Sequence, residues 1–162
     1  MAKNGLSWNA SHGNLIAICC EPNQILLSPF LSTPRDIHPP QYIFRPVIPV
    51  NLSIGKSIAE FGALIDSGAD QCTFPGSIAK ELGFKIQRGE RRLFSGIGGS
   101  VLAYRHTTLI TIADNRLAIE VYYSHEWDDM PFGLLGQEGF FSRFKVDFDY
   151  KKKLVQLSRY SV

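Results

Sequence analysis

The stretch Ala63-Leu64-Ile65-Asp66-Ser67-Gly68-Ala69-Asp70 is where residue types and spacing point to chemistry. Ala63 to Ile65 has no polar member, which suits a strand covered on both faces, and Asp66 then sits where the chain must turn. A buried carboxylate is costly unless it is paired. Ser67 can anchor the turn through its hydroxyl, and Gly68 allows unusual dihedrals and the close approach of a ligand or another backbone. For Ser67 to act as nucleophile a base would have to lie within hydrogen-bond reach, and the adjacent Asp66 points elsewhere along an extended chain. His12, His38, His106 and His125 are scattered without ligand spacing, and they read as surface or turn residues rather than metal ligands. The sequence has no Cys/His pair and no G-x-S-x-G serine. What remains is a carboxylate acting with a second carboxylate. Two such groups in contact share a proton, so that one is the base on a water and the other the acid for a carbonyl oxygen. That chemistry hydrolyses a peptide bond without a covalent intermediate.

The elements that would position this elbow are mostly strands. The chain has 162 residues, 44% hydrophobic and 20% charged, enough for one domain burying roughly two thirds of its unfolded surface. A net charge of +2 with no basic stripe gives no argument for nucleic acid. The apolar run Leu15 to Cys20 falls far short of a span of about 20 residues and lacks a basic flank, so the chain reads as soluble, without a membrane partner. Three cysteines, two of them adjacent at Cys19 and Cys20, form neither a disulfide framework nor a Cys-x-x-Cys pair, which suits reduced thiols in a cytoplasmic protein. Residues 1–41 carry Pro22, Pro29, Pro34, Pro39 and Pro40 and no periodicity, and they read as an irregular N-terminal extension or a pro-segment. The ordered domain is expected over 42–162.

Within it, Tyr42 to Ile54 is strand-like, with Pro46 and Pro49 demoting its first part to an edge. Gly55-Lys56-Ser57 turns the chain and Ile58 to Ile65 returns to deliver Asp66; the first glycine of a phosphate loop would fall on Val50, so no nucleotide site is expected. Cys72 to Phe74 is a short strand, and Pro75 to Gly83 a short helix with Ser77 as plausible cap and Gly83 as stop. Arg91 to Ser95 and Val101 to Ile112 flank Gly96-Ile97-Gly98-Gly99, a hairpin tip that is either a plain turn or a mobile flap closing over a ligand. Arg116 to Tyr123 is another strand, Glu126 to Pro131 an acidic loop, and Phe132 to Gly136 a second apolar run ending on glycine. A helical turn over Gln137 to Phe144 and the strands Lys145 to Phe148 and Leu154 to Leu157 complete an all-β fold, a small barrel or sandwich with one or two short helices.

Three of these motifs, in order, resemble the retropepsins, the retroviral-type aspartic proteases. Leu64-Ile65-Asp66-Ser67-Gly68-Ala69-Asp70 is similar to their catalytic motif, Gly96-Ile97-Gly98-Gly99 to their flap tip, and Leu134-Leu135-Gly136 to the apolar-apolar-Gly run behind the active-site loop. The resemblance covers about residues 42 to 160. It implies a small closed β-barrel with a β-hairpin flap, Asp66 as catalytic aspartate, Ser67 bonding across to its symmetry mate, and Gly68 binding substrate backbone. Ala69, Asp70, Gly96, Ile97, Gly98 and Leu134 would contact substrate, with no metal and no cofactor. Retroviral members often place Arg after the apolar-apolar-Gly run, paired to the acid matching Asp70; here that position is Gln137. Asp36, Asp114, Asp128, Asp129, Asp147 and Asp149 are not followed by Ser/Thr-Gly, so one chain holds half a dyad and activity calls for a homodimer. Leu154 to Leu157 is a candidate for the intersubunit sheet. The expectation is an aspartic endopeptidase acting on a peptide or protein substrate, cytoplasmic, or virion-associated if viral. Its rival is a catalytically inactive binding or dimerisation module of the same fold.

Overall fold

The computed structural model describes residues 24–26, 28–31, 42–96 and 99–161. In chain order the strands are β1 (Gln24–Leu26), β2 (Ser28–Leu31), β3 (Tyr42–Arg45), β4 (Val47–Ile54), β5 (Ser57–Ile65) and β6 (Cys72–Pro75). The helix α1 (Gly76–Glu81) follows, then β7 (Glu90–Gly96), β8 (Gly99–Ile112), β9 (Asn115–Ser124), β10 (Gly133–Leu135), β11 (Phe144–Asp149) and β12 (Leu154–Arg159). The chain divides into two compact units, Pro49–Arg143 and Met1–Ile48 with Phe144–Val162.

The larger unit is a closed barrel. Six strands run in the order β4-β5-β10-β6-β9-β8, and β8 pairs back onto β4 from Val50↔Ile112 to Ser53↔Leu109, so the sheet has no open seam. Two of its pairings are parallel, β5 with β10 and β6 with β9. Parallel strands are covered on both faces, and the burial follows: β6 is buried throughout, and β9 alternates from Leu117 to Val121 before Tyr122, Tyr123 and Ser124 are all buried. Leu52, Phe74, Ile110, Tyr123 and Leu135 fill the interior. Burial pushes the Tyr123 phenol up to about 12, although a bond with Thr108 Oγ1 at 3.0 Å opposes the shift. β8 is long enough to serve twice. Its second half completes the barrel, while Gly99 to Arg105 pairs with β7 as a projecting hairpin.

Two local expectations need correction. Ser77 does not cap α1, because its side chain accepts no capping bond and Pro75 occupies the cap position. Instead the Ser77 N–H donates to Asp128 Oδ1 at 2.7 Å, so a carboxylate distant in sequence satisfies the helix start. Gly83 does stop the helix, at φ +82. No helix forms over Gln137 to Phe144. The Phe141 and Ser142 N–H groups reach back to Gly136 and Gln137 carbonyls at 3.2 and 3.0 Å, wide turns that Gly139 permits at φ +96.

The smaller unit holds the three-stranded sheet β1-β12-β11 and the hairpin β2-β3. β1 and β2 lie in the stretch read as an irregular extension; the rest of that stretch, with Cys19 and Cys20, is outside the described residues. β12 pairs with β11 on one side and with β1 on the other, at Gln24↔Gln156 to Leu26↔Leu154. Both edges of the strand expected to form an intersubunit sheet are therefore occupied within the chain. No helix of the described residues is long and apolar enough to cross a membrane.

Candidate active site

Asp66 is placed by β5 and held by the strand behind it. Ala63, Leu64 and Ile65 pair in parallel with Gly133, Leu134 and Leu135, and β10 is itself clasped between β5 and β6. The Asp66 N–H continues that ladder onto the Leu135 carbonyl at 3.1 Å. The chain then turns, with the Ala69 N–H on the Asp66 carbonyl at 3.2 Å and the Gly68 N–H on Asp66 Oδ1 at 2.9 Å. The carboxylate anchors its own turn, in the manner of an Asx turn. Ser67 was the expected anchor through its hydroxyl, but among the described residues that hydroxyl makes no hydrogen bond. Its carbonyl does the holding, accepting from Gln137 Nε2 at 2.7 Å.

The run after Leu135 passes directly behind the elbow. The Gln137 N–H donates to the Ala69 carbonyl and the Glu138 N–H to the Asp70 carbonyl, each at 2.8 Å. Gly136 is required by space: a Cβ there would lie 2.4 Å from the Gln71 carbonyl oxygen and 2.7 Å from that of Ala69. Cys72 is packed into the same support, its thiol donating to the Glu138 carbonyl at 3.3 Å. Burial pushes that thiol up to about 11, against the opposing effect of nearby backbone groups, so it is no nucleophile. Asp66 itself is half-buried and Ser67 and Gly68 are exposed.

In front of the elbow lies a cavity of about 260 Å³. Gly68, Ala69, Asp70 and Leu134, all expected to meet substrate, line it. Asp66 is not among its walls. Gly96 pairs with Gly99 at the hairpin end, while Ile97 and Gly98 lie outside the described residues. The hairpin contributes Phe94 and Ser95 to the cavity. Phe94 meets the rings of Tyr122 and Trp127 edge-on at 5.0 and 5.9 Å between centroids. At its base the hairpin is tied down by Glu126 Oε1, which accepts from the Leu102 N–H at 3.0 Å, and by the Ser124 hydroxyl, which donates to the Leu102 carbonyl at 2.7 Å. Phe94, Trp127, Met130 and Phe132 were not anticipated as site residues. Trp127 and Met130 stood in a loop read only as acidic, while Phe94 and Phe132 were read as parts of a strand and of an apolar run. Among the described residues no three His, Cys, Asp or Glu side chains gather as a metal site.

The comparisons with known proteins agree with this geometry. Residues 49–138, more than half of the chain, match the family model described as aspartyl protease. The chain belongs to the aspartyl protease family. Among solved structures, it is similar to a retropepsin-like aspartic protease from Rickettsia conorii, with 20% identity, a TM-score of 0.52, and coverage of 83% of this chain and 98% of that one. At that identity the likeness shows the fold, and the fold of this aspartyl protease family member is retropepsin-like. EIAV protease complexed with the inhibitor HBY-793 is similar at 17% identity, covering 65% of this chain and 88% of that one, with a TM-score of 0.45. No curated protein matches the chain.

Proposed function

We propose that the protein is an aspartic endopeptidase that acts as a homodimer, each protomer contributing one Asp66. The observation that carries the reading is the elbow itself: a half-buried Asp66 at the end of a barrel strand, held from behind by β10 and opening beside a cleft roofed by the β7–β8 hairpin. One chain offers a single such carboxylate, since none of its other aspartates precedes Ser/Thr-Gly. A twofold axis at the elbow supplies the second.

The chemistry follows from two carboxylates sharing one proton. The ionised Asp66 takes a proton from a water as the water oxygen bonds to the scissile carbonyl carbon, and the protonated Asp66 gives its proton to the carbonyl oxygen. When the tetrahedral diol collapses, the C–N bond breaks, the leaving nitrogen takes the proton of the carboxyl that received it from water, and one diol hydroxyl returns its proton to the other Asp66, which restores the singly protonated pair. The hairpins act as flaps, and their strands hold an extended peptide across the two elbows. Because the dyad works with one proton, activity is highest at acid pH.

Asp66→Asn tests this. The variant removes the base and the shared proton without changing shape, so cleavage of a denatured protein substrate is expected to fall by roughly 10² to 10⁴, with the sedimentation coefficient unchanged. Undiminished cleavage by purified Asp66→Asn protein refutes the reading, as does a wild-type enzyme that sediments as a monomer while cleaving.

A further inference from the structure

We infer that the cleft beside the elbow selects a basic side chain of the substrate, its stem on apolar walls and its cationic head on Asp70. The inference rests on the endopeptidase reading and adds a substrate class to it. The cavity, about 260 Å³, is lined by the apolar residues Phe94, Trp127, Met130, Phe132 and Leu134, and Asp70 lines it too. It has room for a long side chain rather than a water or two. An apolar wall ending on one carboxylate suits an amphipathic cation, because lysine and arginine lay their methylenes on apolar surface and keep the charged head apart. The aromatic faces add attraction for the same head group.

The charge of Asp70 is not consumed within the chain. Its side chain is exposed and, among the described residues, makes no hydrogen bond or ion pair. Position 137, whose N–H bonds to the carbonyl of Ala69 next to Asp70, holds an amide, and that amide is spent on the Ser67 carbonyl at 2.7 Å. Arg92 feels the fields of Asp70 and Glu138, yet its guanidinium is bonded to the Tyr122 hydroxyl at 3.1 Å and lies 5.4 and 5.6 Å from the Phe94 and Tyr122 ring centres. A purely apolar substrate side chain would fill the walls but strip water from Asp70 without replacing it. A cation removes that penalty, and in a cleft closed by substrate the pair is screened less than on an open surface.

The test is a set of peptides with one constant sequence in which each position flanking the scissile bond carries either lysine or norleucine, which keeps the carbon chain and drops the ammonium. At one such position kcat/KM for lysine is expected to exceed that for norleucine by about fivefold or more at low salt, and to shrink in high salt. In Asp70→Asn the ratio falls to near one. Gln137→Arg, which sets a guanidinium beside Asp70, lowers it as well and serves where the asparagine variant folds poorly. Norleucine peptides cut as well as lysine peptides at every position overturn the inference while leaving the endopeptidase reading intact, and so does a lysine preference that survives in Asp70→Asn. If wild-type protein cuts neither the peptides nor a denatured protein substrate, the endopeptidase reading fails on its own. The same pairs titrated against Asp66→Asn protein by fluorescence anisotropy then decide the inference: tighter binding of lysine supports it, and equal binding overturns it.

Discussion

Gly136→Ala is a substitution for which the structure predicts a large stability loss at a position with no chemistry of its own. The new Cβ would meet the Gln71 carbonyl oxygen at 2.4 Å, its carbon at 2.7 Å and the Ala69 carbonyl oxygen at 2.7 Å. All three are backbone atoms, so no side-chain rotation relieves them, and the strand end must move away from the elbow. Three backbone bonds flank the site: Asp66 N–H to Leu135, Gln137 N–H to Ala69, and Glu138 N–H to Asp70. Overpacking costs about 1–3 kcal/mol, and each net hydrogen bond lost about 0.5–1.5 kcal/mol. Losing two of the three bonds gives a total near 4 kcal/mol, a large part of a stability that is typically about 5–15 kcal/mol. In thermal terms that is roughly 10 °C. Urea unfolding followed by tryptophan fluorescence measures it, and Gly55→Ala is the control. Gly55 has φ +60 and nothing within 4 Å of its Cβ position, so alanine there meets only backbone strain, about 1 kcal/mol. A Gly136→Ala protein as stable as the Gly55→Ala protein would refute the steric argument.

Asp128→Ala removes the bond to the start of α1 and is expected to cost about 1 kcal/mol near pH 7. Partial burial works against the ionised form of Asp128, but bonds from His125 Nδ1 at 2.9 Å and the Ser77 N–H outweigh it and hold the carboxyl below its ordinary 3.8. A depressed folded value means that the contribution is present above about 3.8 and is lost as the pH falls through the lower folded value. The melting-temperature gap between wild type and Asp128→Ala should therefore close toward pH 2, and a gap constant from pH 7 to pH 2 would count against the assignment. Gln137→Ala frees the Ser67 carbonyl and loosens the loop that aims Asp66. Its kcat is expected to fall about threefold to tenfold with KM little changed, and a change in KM alone would show that Gln137 does not position the elbow.

How far the sequence could be read depended on how local each determinant was. Asp66-Ser67-Gly68 announces itself because the apolar run, the acid and the turn residue are contiguous. The β4–β5 hairpin, with Gly55 at φ +60, is legible for the same reason. Capping of α1 was assigned to Ser77 by proximity, whereas the group that does it, Asp128, is 51 residues away and arrives only through the fold. The stretch Gln137 to Phe144 has helical composition at several positions, yet Gly139 takes a positive φ and the backbone is committed to the elbow carbonyls. β1 and β2 were illegible because strands of three and four residues show no usable period, and they exist through their pairing with β12 and β3. The apolar cleft walls come from three separate segments, which no single window of sequence brings together.

Those non-local parts converge on one physical point about the elbow. The bonds that fix it are the Asp66 N–H on Leu135, the Gln137 N–H on Ala69, the Gln137 side-chain amide on Ser67 and the Gly68 N–H on the Asp66 carboxylate. Only one titratable group takes part, and it is Asp66 itself. An arginine at position 137 paired to Asp70 would hold the loop through a carboxylate, and that hold would weaken as pH falls through the carboxylate range in which an aspartate dyad works. A glutamine amide on a backbone carbonyl carries no such dependence. The glutamine therefore holds the Ser67 carbonyl with no charge of its own and brings no cation from that position to Asp70.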